Sequence, residues 1–224
     1  MGGLPLNYCI DSTEVTQSQY QAWLNTTTAA TISNQISVCS SWNTTFTPDS
    51  SCMSSSSACT SSDCPQVCVD WCDAYAYCAG VGKRLCGKIG GGSNEYNDYA
   101  DVTKSQWYAA CTSNGTYSST GYPYGNTYQA TYCNGYDANK SSMVAVGTMS
   151  QCQSTVSGYT GVYDLSGNVY EWEDSCVGTA GSSDNCVLRG GAFDATIDSL
   201  QCGIAAGPTR SNVFPAFGFR CCSP

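Results

Sequence analysis

Two carboxylates stand at the ends of one turn-forming stretch, Asp164–Glu171. The residues from Asp164 to Asn168 are typical of a tight turn, because Asp, Gly and Asn tolerate a positive φ and hydrogen-bond their own backbone. A turn rich in backbone carbonyls and bracketed by two acids is chemistry that a hard cation such as calcium accepts. The alternative interpretation is a well-packed turn with two solvated acids.

The turn is predicted to lead directly into a β-strand. Tyr170 and Trp172 share one parity and Glu171 has the other, as the alternation of a strand requires. Tyr170 and Trp172 can therefore enter the core together, whereas Glu171 points to the opposite face.

The composition excludes several classes of function. The chain has 224 residues, which suits one domain, and eight Lys/Arg against seventeen Asp/Glu give a net charge of −9. Nucleic acids and anionic membranes need a basic footprint, so neither is an expected partner. The sequence has no histidine, which excludes an imidazole base, a Ser–His or Cys–His nucleophile and His-ligated zinc or iron. Cations and neutral partners such as sugars are compatible with this charge.

Seventeen cysteines in one non-repetitive chain indicate an oxidising compartment and a disulfide framework. Zinc or iron–sulfur sites are the alternative, but the sequence lacks the paired C-x-x-C knuckles typical of them. The odd number leaves at least one thiol free or paired outside the chain.

The expected location is extracellular, on a cell surface or periplasmic. No stretch approaches the roughly 20 apolar residues of a membrane span. Residues 1–5 are expected to be an artificial or mature start that stands in place of a removed signal peptide.

Three short helices are predicted from capping signals and apolar spacing. Thr16 is expected to cap the first helix, and Asp70 to cap the second, which ends near Gly80. A capping box at Thr103–Gln106 is expected to open the third. After Gly115 the pattern predicts short strands and long turns, so the expected class is an irregular, loop-rich α+β fold.

Six tyrosines, at positions 117, 122, 124, 128, 132 and 136, occur in the region after Gly115. Structural tyrosines of an irregular β-rich surface pack the ring and keep the hydroxyl in water. The alternative is an aromatic platform for a sugar or a protein partner, and the sequence leaves both interpretations open.

Several motifs occur in a fixed order along the chain. The longest is GVYDLSGNVYEW at 161–172. The others are Glu14-Val15-Thr16, Val69-Asp70-Trp71 continuing to Gly82-Lys83-Arg84-Leu85, Tyr124-Gly125-Asn126, Arg189-Gly190-Gly191 and Gly218-Phe219-Arg220-Cys221. Together they resemble the signatures of the formylglycine-generating enzyme family, also called sulfatase-modifying factors. The resemblance implies one domain over residues 1–224 with a variant of the C-type lectin fold and short antiparallel strands.

Two stretches are predicted to be loops of this domain. Residues 43–64 are rich in Ser and Thr and are expected to be tied down by their cysteines, since such a composition packs poorly. Residues 87–102 are rich in Gly, Asn and Tyr and stand where the family runs straight into a helix, so they are expected to be an inserted loop.

The resemblance implies structural calcium and one disulfide. The implied calcium ligands are the side chain of Asp164, the carbonyls of Gly167 and Val169, the carboxylate of Glu171 and, at a second site, Asn134 with the carbonyl of Gly135. The implied disulfide joins Cys111 of the third helix to Cys221.

Copper-dependent oxidase activity is not expected. In the family, two cysteines five apart lie between R-G-G-S and a following structural cysteine, and they hold copper. The matching segment 190–201 contains no cysteine, and Cys202 fits the structural cysteine instead. Cu(I) requires thiolate ligands, which this segment cannot supply. Cys221 and Cys222 could rebuild a pair, although adjacent cysteines at a chain end more often form separate bridges.

Three functional hypotheses follow. The first is a non-catalytic binding module on a calcium-stabilised scaffold, secreted or surface-displayed, with an unknown protein or glycan ligand. The second is a copper-dependent formylglycine-generating oxidase that acts on sulfatase cysteines. The third is a structural extracellular protein that assembles with copies of itself.

A second resemblance supports a binding module. Variable proteins diversified by retroelements share this fold and vary between R-G-G and G-F-R. The candidate ligand-binding residues in that interval are Asp194, Thr196, Asp198, Asn212 and Phe214.

Overall fold

Short helices and short strands make up the regular structure of the computed structural model, which describes residues 2–3, 8–26, 35–55 and 59–224. The helices of these residues are α1 (Gln17–Leu24), α2 (Ser37–Ser40), α3 (Ser50–Ser55), α4 (Trp71–Gly80) and α5 (Gln106–Cys111). The strands are β1 (Gly2–Gly3), β2 (Cys9–Ile10), β3 (Arg84–Leu85), β4 (Tyr170–Cys176), β5 (Cys186–Arg189), β6 (Ala205–Ala206), β7 (Phe217–Phe219) and β8 (Cys221–Ser223). The predicted irregular α+β class is confirmed, with α2 and α3 as additional short helices. Of the expected start at 1–5, residues 1, 4 and 5 lie outside the described part.

The capping signals of two predicted helices fix where those helices begin. At the start of α1 the Thr16 side chain accepts from the Gln19 backbone N–H, and the Gln19 side chain accepts from the Thr16 N–H. Asp70 and Asp73 form the same reciprocal arrangement at the start of α4. Each pair satisfies two backbone donors that a helix start otherwise leaves without partners.

The third predicted helix begins later than expected. Ser105, not Thr103, caps α5, and its hydroxyl accepts from the Tyr108 backbone N–H at 3.0 Å. Thr103 instead donates to Asp101 from both its backbone N–H and its hydroxyl. A local Asx turn therefore competes successfully with the helix over Thr103–Lys104. The regular structure within residues 87–102 is a short 3₁₀ turn, Tyr96–Asp98, and an isolated bridge from Lys88 to Ser105.

The strand β4 lies inside the second of two sheets and carries the end of the GVYDLSGNVYEW motif. The sheet order is β6-β5-β4-β7, and β4 pairs antiparallel with β5 and parallel with β7. Trp172 packs into one apolar cluster with Phe219 and Trp71. Glu171 points to the opposite face, as its parity predicts, where Trp107 of α5 contacts it. Both faces of β4 are therefore covered.

The other sheet ties the ends of the chain together. Its order is β1-β2-β8-β3, with antiparallel pairing throughout. The strand β8 lies between β2 from the start of the chain and β3, which follows α4. The last strand therefore depends on partners far away in sequence.

Sixteen of the seventeen cysteines form eight disulfides, and Cys9 is the free thiol. This confirms the predicted disulfide framework and the odd thiol. The pairs are Cys39–Cys72, Cys52–Cys68, Cys59–Cys64, Cys78–Cys221, Cys86–Cys222, Cys111–Cys202, Cys133–Cys152 and Cys176–Cys186.

The predicted Cys111–Cys221 bridge is wrong. Cys221 lies opposite Leu85 in the β3–β8 pair, so the nearby helix is α4, and Cys78 of α4 is its partner. Cys111 pairs with Cys202 and lies beside Leu165 at the turn before β4.

Candidate functional site

The predicted turn at Asp164–Asn168 is present, and its backbone is left-handed at several positions. Asp164, Gly167 and Asn168 have φ values of 60°, 77° and 64°. A Cβ at Gly167 would clash with the backbone carbonyl of Asn134, so glycine is required there for space as well as for φ. The stretch is therefore a tight turn pressed against residue 134.

Asn168 holds this turn to three other segments. Its Oδ1 accepts from the Val144 backbone N–H at 2.8 Å and from Asn134 Nδ2 at 3.1 Å. Its Nδ2 donates to Glu14 Oε1 at 2.9 Å. The motif asparagine thus links the turn to the beginning of the chain.

Glu171 is bound to a cation already present in the chain. The Arg220 guanidinium donates to Glu171 Oε2 from Nε at 2.7 Å and to Oε1 from Nη2 at 2.6 Å. The Trp107 indole donates to Oε2 at 2.8 Å. Glu171 and Arg220 are both 0% exposed, so the interpretation of Glu171 as a solvated acid is wrong.

Asp164 is also buried, and its neighbour is Glu14, which the sequence did not indicate as part of this site. Its Oδ2 accepts from the Gly147 backbone N–H at 2.6 Å, whereas its Oδ1 and the Oε2 of Glu14 are buried and receive no hydrogen bond from a third described residue. The carboxyl groups of Asp164 and Glu14 are close enough to interact with each other. Burial, followed by the charge of Asp164, raises the pKa of Glu14 well above its usual range. Burial raises the pKa of Asp164 to about 6. Two such acids side by side require a shared proton or a bound cation.

The predicted calcium ligands therefore fit only in part. A calcium ion needs 6–8 oxygen ligands. Asp164 has a buried oxygen without a partner, and Glu14 supplies a second. Glu171 does not fit, because three donors already occupy its carboxylate, two of them from a cationic guanidinium.

At the second predicted calcium site, internal hydrogen bonds already engage the backbone carbonyls. The carbonyl of Asn134 accepts from the Asn168 N–H, and the carbonyl of Gly135 accepts from the Ala138 N–H. Only Oδ1 of Asn134 is buried without a partner. In the part of the chain that the structure describes, no three Cys, Asp or Glu side chains are grouped to hold a metal ion.

The segment 190–201 holds no thiol, and its buried side chains are apolar. Ala195 and Leu200 pack with Tyr122 in one small cluster. Cys202, the next cysteine, is consumed by its bridge to Cys111, and Cys221 and Cys222 form separate bridges. Among the described residues, Cys9 is therefore the cysteine that carries a free thiol.

All five candidate ligand-binding residues are exposed. Phe214 has 52% of its surface exposed and packs on Phe217, with ring centroids 5.2 Å apart. Phe217 contacts Tyr170 edge-on at 6.0 Å. Burial, followed by the charge of Asp194, raises the pKa of Tyr170, so Asp194 is close enough to act on it electrostatically. We call Phe214, Phe217, Tyr170 and Asp194 the Phe214 face.

The other three candidates are engaged elsewhere. Asn212 accepts from the backbone N–H and the hydroxyl of Thr209 and closes a turn. Thr196 and Asp198 flank Ile197, whose carbonyl accepts from the Tyr122 hydroxyl at 3.3 Å. The structure therefore joins two of the five candidates in one face. Strand alternation predicts that Tyr170 enters the core, but its side chain is only half-buried.

Comparison with known proteins gives a family and named relatives. The family model of the sulfatase-modifying factor enzyme 1-like domain matches residues 5–223. Inactive C-alpha-formylglycine-generating enzyme 2 of Mus musculus is 31% identical over 169 residues, which are 71% of this chain and 49% of that protein. The protein of the same name from Bos taurus is also 31% identical over 169 residues. The chain thus spans about half the length of these curated relatives.

Solved structures show the same fold at low sequence identity. Treponema denticola variable protein 1 matches 96% of this chain and 84% of its own, with a TM-score of 0.58 and 21% identity. CarF matches 97% of this chain and 86% of its own, with a TM-score of 0.61 and 21% identity. PvdO from Pseudomonas aeruginosa matches 96% of this chain and 79% of its own, with a TM-score of 0.60 and 18% identity.

Proposed function

Because this chain belongs to the family of sulfatase-modifying factor enzyme 1-like domains, we propose that it is a non-catalytic recognition module, secreted or displayed on a surface. One observation carries the proposal. Sixteen of its seventeen cysteines are locked in disulfides and segment 190–201 has no cysteine, so the thiol pair that copper chemistry needs is missing. The name of the relatives, inactive C-alpha-formylglycine-generating enzyme 2, agrees with this loss.

The Phe214 face supports a protein as the ligand. An exposed phenylalanine backed by two further rings is a typical interface anchor, because aromatic side chains bury a large area on binding. The charge of Asp194 acts on Tyr170 of this face, and the chain carries a net charge of −9. The partner that fits this face has an apolar patch with a basic rim. Among the described residues, no helix has the length and apolarity needed to span a bilayer.

The proposal is tested by one activity assay and one binding assay. With copper supplied, the protein should form no aldehyde on a cysteine-containing sulfatase peptide above a heat-inactivated control. In a screen of extracellular protein domains, binding should fall at least about tenfold in Phe214→Ser.

Val177→Ser is the matched control, since Val177 is 46% exposed and follows the far end of β4. Its binding should stay within about twofold of the wild type. Aldehyde formation with copper, or partner binding that is equally strong in Phe214→Ser and the wild type, would overturn the proposal.

We also propose that calcium stabilises this scaffold through Asp164 and Glu14 rather than Glu171. The support is the pair of buried carboxylate oxygens without partners. At calcium 100-fold above Kd the expected gain is about 2.7 kcal/mol, which raises Tm by several degrees. Thermal melts in calcium and in chelator should show this shift in the wild type and in Glu171→Gln, and should lose it in Asp164→Asn. An unchanged wild-type melt with no calcium by elemental analysis would mean that the two acids share a proton instead.

A further inference from the structure

A groove separate from the Phe214 face is lined by tyrosines, which we call its tyrosine wall, and by amide and hydroxyl side chains, which we call its polar wall. Its larger part has a volume of about 370 Å³ and is lined by Tyr124, Tyr132, Gln151, Gln153 and Thr155, among others. A second depression of about 240 Å³ shares Tyr132 and Gln151 with it. The two parts adjoin at these shared residues, and we call them together the tyrosine groove.

The tyrosine wall is held in place by other rings. Tyr132 meets Tyr124 edge-on, with centroids 5.0 Å apart and an interplanar angle of 67°. Tyr124 in turn stacks on Tyr122 at 5.5 Å and 7°. Tyr122 is buried with Leu200, so the stack is anchored in an apolar cluster. Tyr124 and Tyr132 are both partly exposed and therefore offer ring surface to a ligand.

The polar wall offers amide and hydroxyl groups. The Gln153 side chain is fixed, because its Oε1 accepts from the Gly161 N–H at 2.8 Å and its Nε2 donates to the Ser150 carbonyl at 2.8 Å. The Thr155 hydroxyl lies 3.2 Å from the Tyr117 hydroxyl. Gln151 is exposed, and no described residue forms a hydrogen bond with its side chain. Its amide is free to donate and accept.

A disulfide joins the two walls directly. Cys133 follows Tyr132, Cys152 follows Gln151, and the two cysteines are bonded to each other. The bridge therefore limits the backbone distance between Tyr132 and Gln151 before any ligand arrives. Such preorganisation improves affinity, since less conformational freedom is lost on binding.

The chemistry of the larger part of the groove favours an uncharged ligand. The larger part is lined by aromatic, hydroxyl and amide side chains without a charged residue, and Lys140 is the charged residue at the smaller part. Single-stranded nucleic acid also stacks on rings, but it needs a basic channel for its phosphates, and this chain has a net charge of −9. Aromatic faces with a few hydrogen-bonding groups suit the apolar face and the hydroxyl rim of a sugar ring.

We propose that the tyrosine groove binds a neutral oligosaccharide, with sugar rings packed on Tyr132 and Tyr124 and a hydroxyl bonded to the Gln151 amide. This site is independent of the Phe214 face. A glycan can bind here whether or not a protein partner binds there.

The test uses the full chain and a panel of neutral hexasaccharides: β-1,4-glucan, β-1,3-glucan, chitin, mannan and xylan. Isothermal titration should detect binding of at least one of them. For that probe, Tyr132→Ala should weaken binding at least about tenfold, and Gln151→Ala by about threefold or more. Tyr136→Ala is the matched control, because Tyr136 is 66% exposed and does not line the groove, and its affinity should stay within about twofold.

Two further measurements distinguish loss of the tyrosine groove from loss of the Phe214 face and from unfolding. Phe214→Ser should leave sugar binding unchanged, so failure of the protein-partner proposal and failure of this one are distinguishable. Thermal melts should show that each variant keeps its fold, and the exposed Gln151 keeps the test valid if Tyr132→Ala unfolds.

Proline-rich peptides also dock in aromatic grooves. Absence of binding across the sugar panel, unchanged affinity in Gln151→Ala and Tyr132→Ala, or groove-dependent binding of a polyproline peptide instead would each overturn the proposal.

Discussion

Replacing Arg220 by leucine should lower the free energy of unfolding by about 3–5 kcal/mol. The guanidinium makes two hydrogen bonds to Glu171 and one each to the carbonyls of Asp11 and Tyr163. Removing it leaves the Glu171 carboxylate buried with the Trp107 indole as its remaining donor. A buried charge without its counter-ion is among the largest single sources of destabilisation.

A double-mutant cycle separates the pair from its surroundings. Glu171→Leu should also be strongly destabilising, because it strands the Arg220 cation. The double variant should be less destabilised than the sum of the two single variants, by about 1–3 kcal/mol, since neither charge is then left alone. Guanidinium unfolding with the disulfides intact provides the free energies.

Lys83→Met is the matched control for Arg220→Leu. Lys83 forms an ion pair with Asp11, but both side chains are partly exposed. Water screens such a pair, so its loss should cost at most about 1 kcal/mol. The prediction fails if Arg220→Leu costs no more than Lys83→Met, because the buried pair would then contribute nothing beyond a surface contact.

This ion pair explains what the long motif does in this chain. Glu171 binds Arg220, and Asn168 binds Glu14. Arg220 and Glu14 lie near opposite ends of the described sequence. Arg220 also reaches the carbonyl of Asp11. The motif therefore connects β4 and the turn before it to residues near both ends of the described sequence. Such a role requires no catalytic group, which is consistent with a family member that lacks the thiol pair.

Most local features could be predicted from the sequence, and the exception is the start of α5, where Ser105 and not Thr103 is the cap. The start of α4 follows from Asp70 and Asp73, because a capping box is a contact between residues three apart. The positive φ of the turn follows from Gly167 and Asn168. These features depend on neighbours in sequence, which the sequence displays directly.

Features that depend on distant contacts were missed. Alternation predicted the direction of the Glu171 side chain, but it could not show that Trp107 and Arg220 cover that face. Seventeen cysteines allow very many connectivities, so Cys111 was assigned to Cys221 by resemblance and not by geometry. Glu14 was noted as part of a motif, yet only tertiary packing brings it to Asp164.

Removing both bridges of the last strand should destabilise the fold far more than removing either one. Cys78–Cys221 spans 143 residues and Cys86–Cys222 spans 136 residues. Their C-terminal cysteines, Cys221 and Cys222, are neighbours in sequence. With one bridge intact, the other closes an additional loop of only about ten residues, which is worth about 3 kcal/mol in the chain-entropy model. Without either bridge the long loop opens as well, and the total loss should reach about 7 kcal/mol.

The measurement compares Cys78→Ala/Cys221→Ala, Cys86→Ala/Cys222→Ala and the variant with all four changes. Each double variant removes a complete pair, so no thiol from the broken bridge is left to react with the free Cys9. Cys59→Ala/Cys64→Ala is the control, since its bridge spans five residues and should contribute about 2 kcal/mol. Guanidinium unfolding should show that replacing all four cysteines lowers the free energy of unfolding by more than the two double variants combined. The expected excess is about 1–2 kcal/mol. A combined loss smaller than their sum would mean that β8 is held by its strand pairing with β2 and β3, and not by the two covalent links.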